Sequence, residues 1–264
     1  MKGLKKSTLV IALSATSSLV MAEMKALDDT VLSTLTGQAG ITIELETQID
    51  LGALVVTDEG NLTMNDIHIG GSAGTVLDNM KIDIDVAADG DGIINLTSLD
   101  GSNMIDFEVT VGSVELNGLA GENTRLASNI SMQGFLTGAN LTVDTATDTL
   151  YATAGYNLTD VDLDVDFLGL GIRDVTISSD NSTGLITDAY YQGINASTQA
   201  VIVSASAHSA ANPRTASGNA LMVEIGAFEQ DIQVGAVIIG GTSIGSFAIQ
   251  DQVISNTTLQ IYGH

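Results

Sequence analysis

Residues 160–167 read Asp160-Val161-Asp162-Leu163-Asp164-Val165-Asp166-Phe167, an unbroken alternation of acid and hydrocarbon. Successive side chains of an extended backbone point to opposite sides, so this stretch predicts a strand with one face in water and the other against apolar matter. Its four aspartates fall on one face about 6.7 Å apart, twice the rise per residue. Such a row repels itself, and reads first as a solvated acidic face that discourages edge-to-edge association.

The same period appears in Ile41-Thr42-Ile43-Glu44-Leu45-Glu46 and in Lys81-Ile82-Asp83-Ile84-Asp85-Val86. Strands are also expected at 61–69, 92–98, 104–116, 141–145, 173–178, 185–191, 201–205, 220–228, 232–239, 246–250 and 257–262. Turn formers separate them, among them Asp58-Glu59-Gly60-Asn61, Asp89-Gly90-Asp91-Gly92 and Asp100-Gly101-Ser102-Asn103. Glycine and asparagine reach positive φ cheaply, so these are chain reversals. The fold class is therefore all-β: an elongated sheet or solenoid-like β domain over 41–264, preceded by one short N-terminal helix. A loose motif of aliphatic, glycine, small and apolar residues recurs at Val111-Gly112-Ser113-Val114, Ile225-Gly226-Ala227-Phe228, Val234-Gly235-Ala236-Val237 and Ile244-Gly245-Ser246-Phe247. Glycine at that place lets neighbouring backbones approach or a strand bend.

Two segments precede the strands. Lys2, Lys5 and Lys6 stand before an uncharged stretch from Ser7 to Val20, and Val20-Met21-Ala22 offers the small residue a signal peptidase needs. Residues 1–22 are expected to be a signal peptide, and about 14 apolar residues fall short of the roughly 20 a spanning helix needs. Residues 23–40 carry a short helix: Asp28 or Asp29 caps its start, Gly37 ends it, and Leu27, Val31, Leu32 and Leu35 are candidate assembly contacts.

Composition narrows the function. The chain of 264 residues has 8 Lys+Arg, 32 Asp+Glu and no Cys, for a net charge of -24. Removing residues 1–22 takes three lysines and no acid, leaving 5 minus 32, or -27. Nucleic acid and anionic membrane surfaces are excluded as partners, because both need clustered Lys and Arg. Without cysteine there is no disulfide scaffold, thiolate nucleophile or Cys-ligated metal. At 44% hydrophobic residues the chain is too apolar for disorder.

The histidines His68, His208 and His264 are scattered, and no Gly-x-Ser-x-Gly elbow or phosphate-cradling loop appears. The expectation is a protein that is not an enzyme and holds no organic cofactor. Calcium is the candidate ligand. Asp89-Gly90-Asp91-Gly92-Ile93 has the core of a calcium loop, in which oxygen ligands converge around a glycine turn. In the helix-loop-helix register, however, Ala87 and Ser98 occupy the positions of the first carboxylate and the bidentate acid. Asp85 (or Asp83) would have to substitute beside Asp89 and Asp91. The Asn-Leu-Thr triplets at Asn61, Asn95, Asn140 and Asn157 read as strand-edge residues.

The run Met24-Lys25-Ala26-Leu27-Asp28-Asp29-Thr30-Val31-Leu32-Ser33-Thr34-Leu35-Thr36-Gly37-Gln38-Ala39-Gly40-Ile41 resembles the mature start of exported pilus-system proteins of the FilA type from Gram-negative bacteria. The ending Thr258-Leu259-Gln260-Ile261-Tyr262-Gly263-His264 is similar to their tail. The resemblance implies an envelope or surface protein, a structural or adhesive component of a pilus system, that associates with copies of itself or with other envelope proteins. It brings no catalytic residues. A calcium-binding envelope module and an outer-membrane β-barrel are the alternatives.

Overall fold

The computed structural model describes residues 40–214 and 218–262. The expected signal peptide and the helix carrying Leu27, Val31, Leu32 and Leu35 lie outside the described residues. Fourteen strands form one sheet: β1 (Ile41–Thr47), β2 (Ile49–Thr57), β3 (Asn61–Gly70), β4 (Leu77–Val86), β5 (Gly92–Ser98), β6 (Ile105–Asn117), β7 (Asn123–Asp144), β8 (Thr149–Val165), β9 (Leu170–Ser178), β10 (Val201–Ala211), β11 (Asn219–Ile225), β12 (Phe228–Ile239), β13 (Thr242–Ile254) and β14 (Thr257–Ile261). The all-β expectation holds in its sheet form, with every strand pair antiparallel.

The long hairpin β7–β8 organises the sheet. At its turn end it is flanked by β5, β4 and β1 on one side and by β10, β11 and β14 on the other. At its far end it is flanked by β6, β3 and β2 and by β9, β12 and β13. Two eight-stranded runs thus share two strands, and neither closes on itself. A barrel calls for closure; this sheet is open.

Residues directly opposed in an antiparallel pair share a face. One row crosses the turn-end run as Ile41, Ile84, Ile94, Leu141, Ala152, Ala205 and Ile225. The next positions along the strands form a second row on the opposite face: Thr42, Asp83, Asn95, Asn140, Thr153 and Ser204. The far-end run keeps its hydrocarbon on one face by a different device. Apolar positions change parity at Gly52 in β2, Asp66 in β3 and Gly112 in β6, and the flanking pairs place these three beside one another and Gly112 beside Asn129. Asp66 and Asn129 have φ of 51° and 49°. A left-handed residue inserts a half-step into the alternation, and Asp and Asn tolerate it best after glycine. Asp174 (φ 51°) and Gly235 repeat the arrangement in β9 and β12. A Cβ on Gly112 would stand 3.1 Å from the Asp66 Cβ, and one on Gly235 2.7 Å from that of Asp174. The glycine motif read from the sequence is, at these two positions, a close approach to a left-handed aspartate.

Two expectations are corrected. Residues 185–191 are not a strand: they lead into the helix α1 (Ala189–Thr198). Asp188 caps α1, accepting from the N–H of Tyr190 at 2.9 Å and of Tyr191 at 3.3 Å, which satisfies donors a strand would need a neighbour to satisfy. Asp166 leaves the acidic row of β8, because the chain turns there into a short 3-10 segment, Asp166–Leu168.

α1 lies on the polar side of the sheet. Ile194 packs with Ala200 and Ile202, with Ile186 and Tyr191 against them. The last turn is pinned by the Asn157 side chain, which donates to the carbonyls of Thr198 and Gln199. Asn195 donates to the carbonyls of Ser179 and Ala200.

Candidate functional surface

The feature that sets this molecule apart from an ordinary globular domain is its bare apolar face. Thirty large hydrophobic residues are exposed among the described residues, against nine hydrophobic residues that are buried. Ile41 is 61% exposed, and Val143 and Leu150, which face each other at the tip of the β7–β8 hairpin, are 48% and 37% exposed. Val143 and Leu150 belong to a row parallel to the first, continued by Ala207, Val223 and Leu259. Neither row carries a charge. Contiguous apolar area of this extent marks a surface that works covered.

The acids gather elsewhere. Asp160, Asp162 and Asp174 bring carboxylate oxygens within 4.8 Å of one another. Burial, then the charges of Asp162 and Asp174, raise the Asp160 carboxyl above its ordinary range, and its Oδ1 has no hydrogen-bond partner. Nearby, burial works to raise Asp164, but the Arg173 guanidinium and the Asn129 amide outweigh it and hold that carboxyl low. Arg173 reaches both Asp164 oxygens, at 2.6 and 2.7 Å. Asp180, Glu229 and Asp251 form a second triplet. Glu229 is 3% exposed, and its two oxygens accept from the backbone N–H and hydroxyl groups of Ser182 and Thr183. Its geometry is that of an anchor for the loop that leads to α1.

Asp85, Asp89 and Asp91 fall in neither triplet. Asp91 Oδ1 accepts from Thr145 N–H and Oγ1, each at 2.9 Å, tying the β4–β5 turn to the end of β7. Asp89 Oδ1 accepts from the Asp91 N–H, and Asp85 Oδ1 from the Val86 N–H. The structure gives each a turn-stabilising bond. The acidic row of β8 supplied Asp160 and Asp162 to sequence reasoning, but Asp174 joins them from β9, and the second triplet draws on the loop after β9, on β12 and on β13, so neither grouping is visible along one segment. Sequence reasoning also missed α1, although Asp188 ahead of an apolar spacing at Tyr191, Ile194 and Thr198 is a readable helix start.

A family model described as a family of unknown function (DUF6160) matches residues 1–88, the first third of the chain, reaching through β4. No curated protein matches the chain, and no solved structure matches it.

Proposed function

We propose that this protein is a non-enzymatic structural component of the bacterial envelope that functions as an assembly of its own copies, within a pilus system as the N-terminal resemblance implies. The observation that carries the reading is the uncharged apolar row from Ile41 to Ile225 across seven strands, exposed at Ile41 and Ile94 and half-buried at its other five residues. A second copy is the occupant that fits it. Placing two such faces together buries hydrocarbon on both, and leaves the acids of the opposite faces in water, where a net charge of -24 is best solvated. Lipid is the competing occupant, and an open sheet presents unpaired edge groups that a bilayer does not tolerate.

Immunogold electron microscopy on cells that carry the protein natively tests the envelope part of the proposal. Gold along surface filaments is the expected result. Protein recovered only from the periplasmic fraction, with no surface gold, would overturn the pilus assignment.

A further inference from the structure

The face opposite the apolar rows holds a pocket of about 380 Å³ between α1 and the sheet. Lys81, Asp83, Asn95, Thr97 and Asn140 of the sheet line it together with Tyr190, Tyr191 and Ile194 of α1. Thr137, one of its lining residues, sits over Gly155, where a Cβ would lie 2.0 Å from Thr137 Oγ1 and 2.7 Å from Ile202 Cδ1. Gly138, with φ of 110°, bends β7 at the same place.

We propose that this pocket binds a neutral carbohydrate. Four features of its chemistry converge on that class. Its two charges cancel, since Lys81 Nζ lies 3.0 Å from Asp83 Oδ2; in a chain this acidic, a neutral pocket fits neither a cation nor an anion. Two amides stand side by side, Asn140 Nδ2 donating to Asn95 Oδ1 at 2.7 Å, and each keeps further donor or acceptor capacity toward the cavity. Thr97 Oγ1 is buried without a hydrogen-bond partner, which a ligand hydroxyl would supply. The two tyrosine rings meet edge to face at 5.2 Å, Tyr191 packed into the core cluster and Tyr190 59% exposed as an aromatic plate at the mouth. Pyranose rings offer what this arrangement asks for: an apolar C–H face for the aromatic plate and a rim of hydroxyls that both donate and accept. The volume admits one or two sugar rings. The inference does not depend on the assembly proposed above, because the pocket and the apolar rows lie on opposite faces.

The test is saturation-transfer NMR on the intact exported chain with methyl glucoside, methyl galactoside, methyl mannoside, N-acetylglucosamine, cellobiose and lactose at millimolar concentration. Transfer to the ring protons of at least one of these is expected, with affinity falling about tenfold in both Tyr190→Ala and Asn140→Ala, equivalent to about 1.4 kcal/mol each. Tyr151→Ala, an exposed aromatic outside the pocket, serves as the unchanged control. Melting curves confirm that the variants fold, and Asn140→Thr replaces Asn140→Ala if that variant does not. No transfer to any sugar, or binding that survives in either pocket variant, would overturn the proposal. Sedimentation of the same samples reports assembly separately.

Discussion

Thr42 and Ile43, Asp83 and Ile84, Asn95 and Leu96, and Asn140 and Leu141 are chain neighbours, yet they belong to two different surfaces. On one face the sheet carries amides, hydroxyls and carboxylates, partnered with each other and covered in part by α1. Thr42 donates to Asp83 at 2.6 Å, and that hydroxyl, followed by Lys81, holds the Asp83 carboxyl below its ordinary range. On the other face the same strands carry hydrocarbon, exposed at Ile43 and half-buried at Ile84, Leu96 and Leu141. An alternating strand thus builds two surfaces at once, and in the assembly proposed above the polar one is covered from within and the apolar one by a second copy.

The contrast depends on the left-handed seam that keeps apolar residues on one side, so the largest effect is expected there. Gly235→Val would drive a branched side chain into Asp174 and cost about 3 kcal/mol, the upper end of overpacking penalties, seen as a lowered midpoint in urea. Next comes the anchor that brings α1 to the polar face. Glu229→Ala removes the acceptor for Ser182 and Thr183 and should cost about 2 kcal/mol, with proteolysis appearing first between residues 180 and 188. Asp188→Ala, which removes the cap of α1, should cost about 1 kcal/mol in the same unfolding assay.

The smallest effect sharpens the comparison electrostatically. Because the Asp160 carboxyl is raised in the folded state, the folded protein binds more protons than the unfolded chain between the ordinary aspartate value and the raised one. Stability from this group therefore falls as pH rises through that window, and the ionised carboxylate is a net cost at neutral pH. Asp160→Asn should raise the melting midpoint at neutral pH, and the gain should vanish once the pH drops below the ordinary aspartate value. A gain that stays constant with pH would assign the effect to packing.

How much of this was legible in the residues follows the regularity of alternation. β5 starts and ends where its pattern does, at Gly92 and Ser98, and β1 extends only to Thr47 beyond the quoted Glu46. β2 escaped because its two apolar sets, Ile49 with Leu51 and Leu54 with Val56, are out of phase across Gly52. β7 escaped over most of its length for the same reason, since Asn129 and Gly138 each reset the phase. The left-handed residue that keeps the face continuous in space is what breaks it in sequence. Of the asparagines of the Asn-Leu-Thr triplets, expected at strand edges, Asn61 opens β3, whereas Asn95 and Asn157 lie in the interior of β5 and β8. That Asn95 and Asn140 share a pocket, and that Asn157 holds a helix end, depends on a register no single strand reveals.

The proposed assembly rests on the apolar face being an interface between copies, and sedimentation velocity of residues 23–264 over a concentration series tests it most directly. Oligomers that grow with concentration are expected for the native chain, and a monomer at every concentration for the double variant Val143→Lys, Leu150→Glu, whose opposite charges fall on exposed, directly paired positions and whose folding a melting curve checks. A native chain that stays monomeric throughout, or oligomers that persist in the double variant, would contradict it.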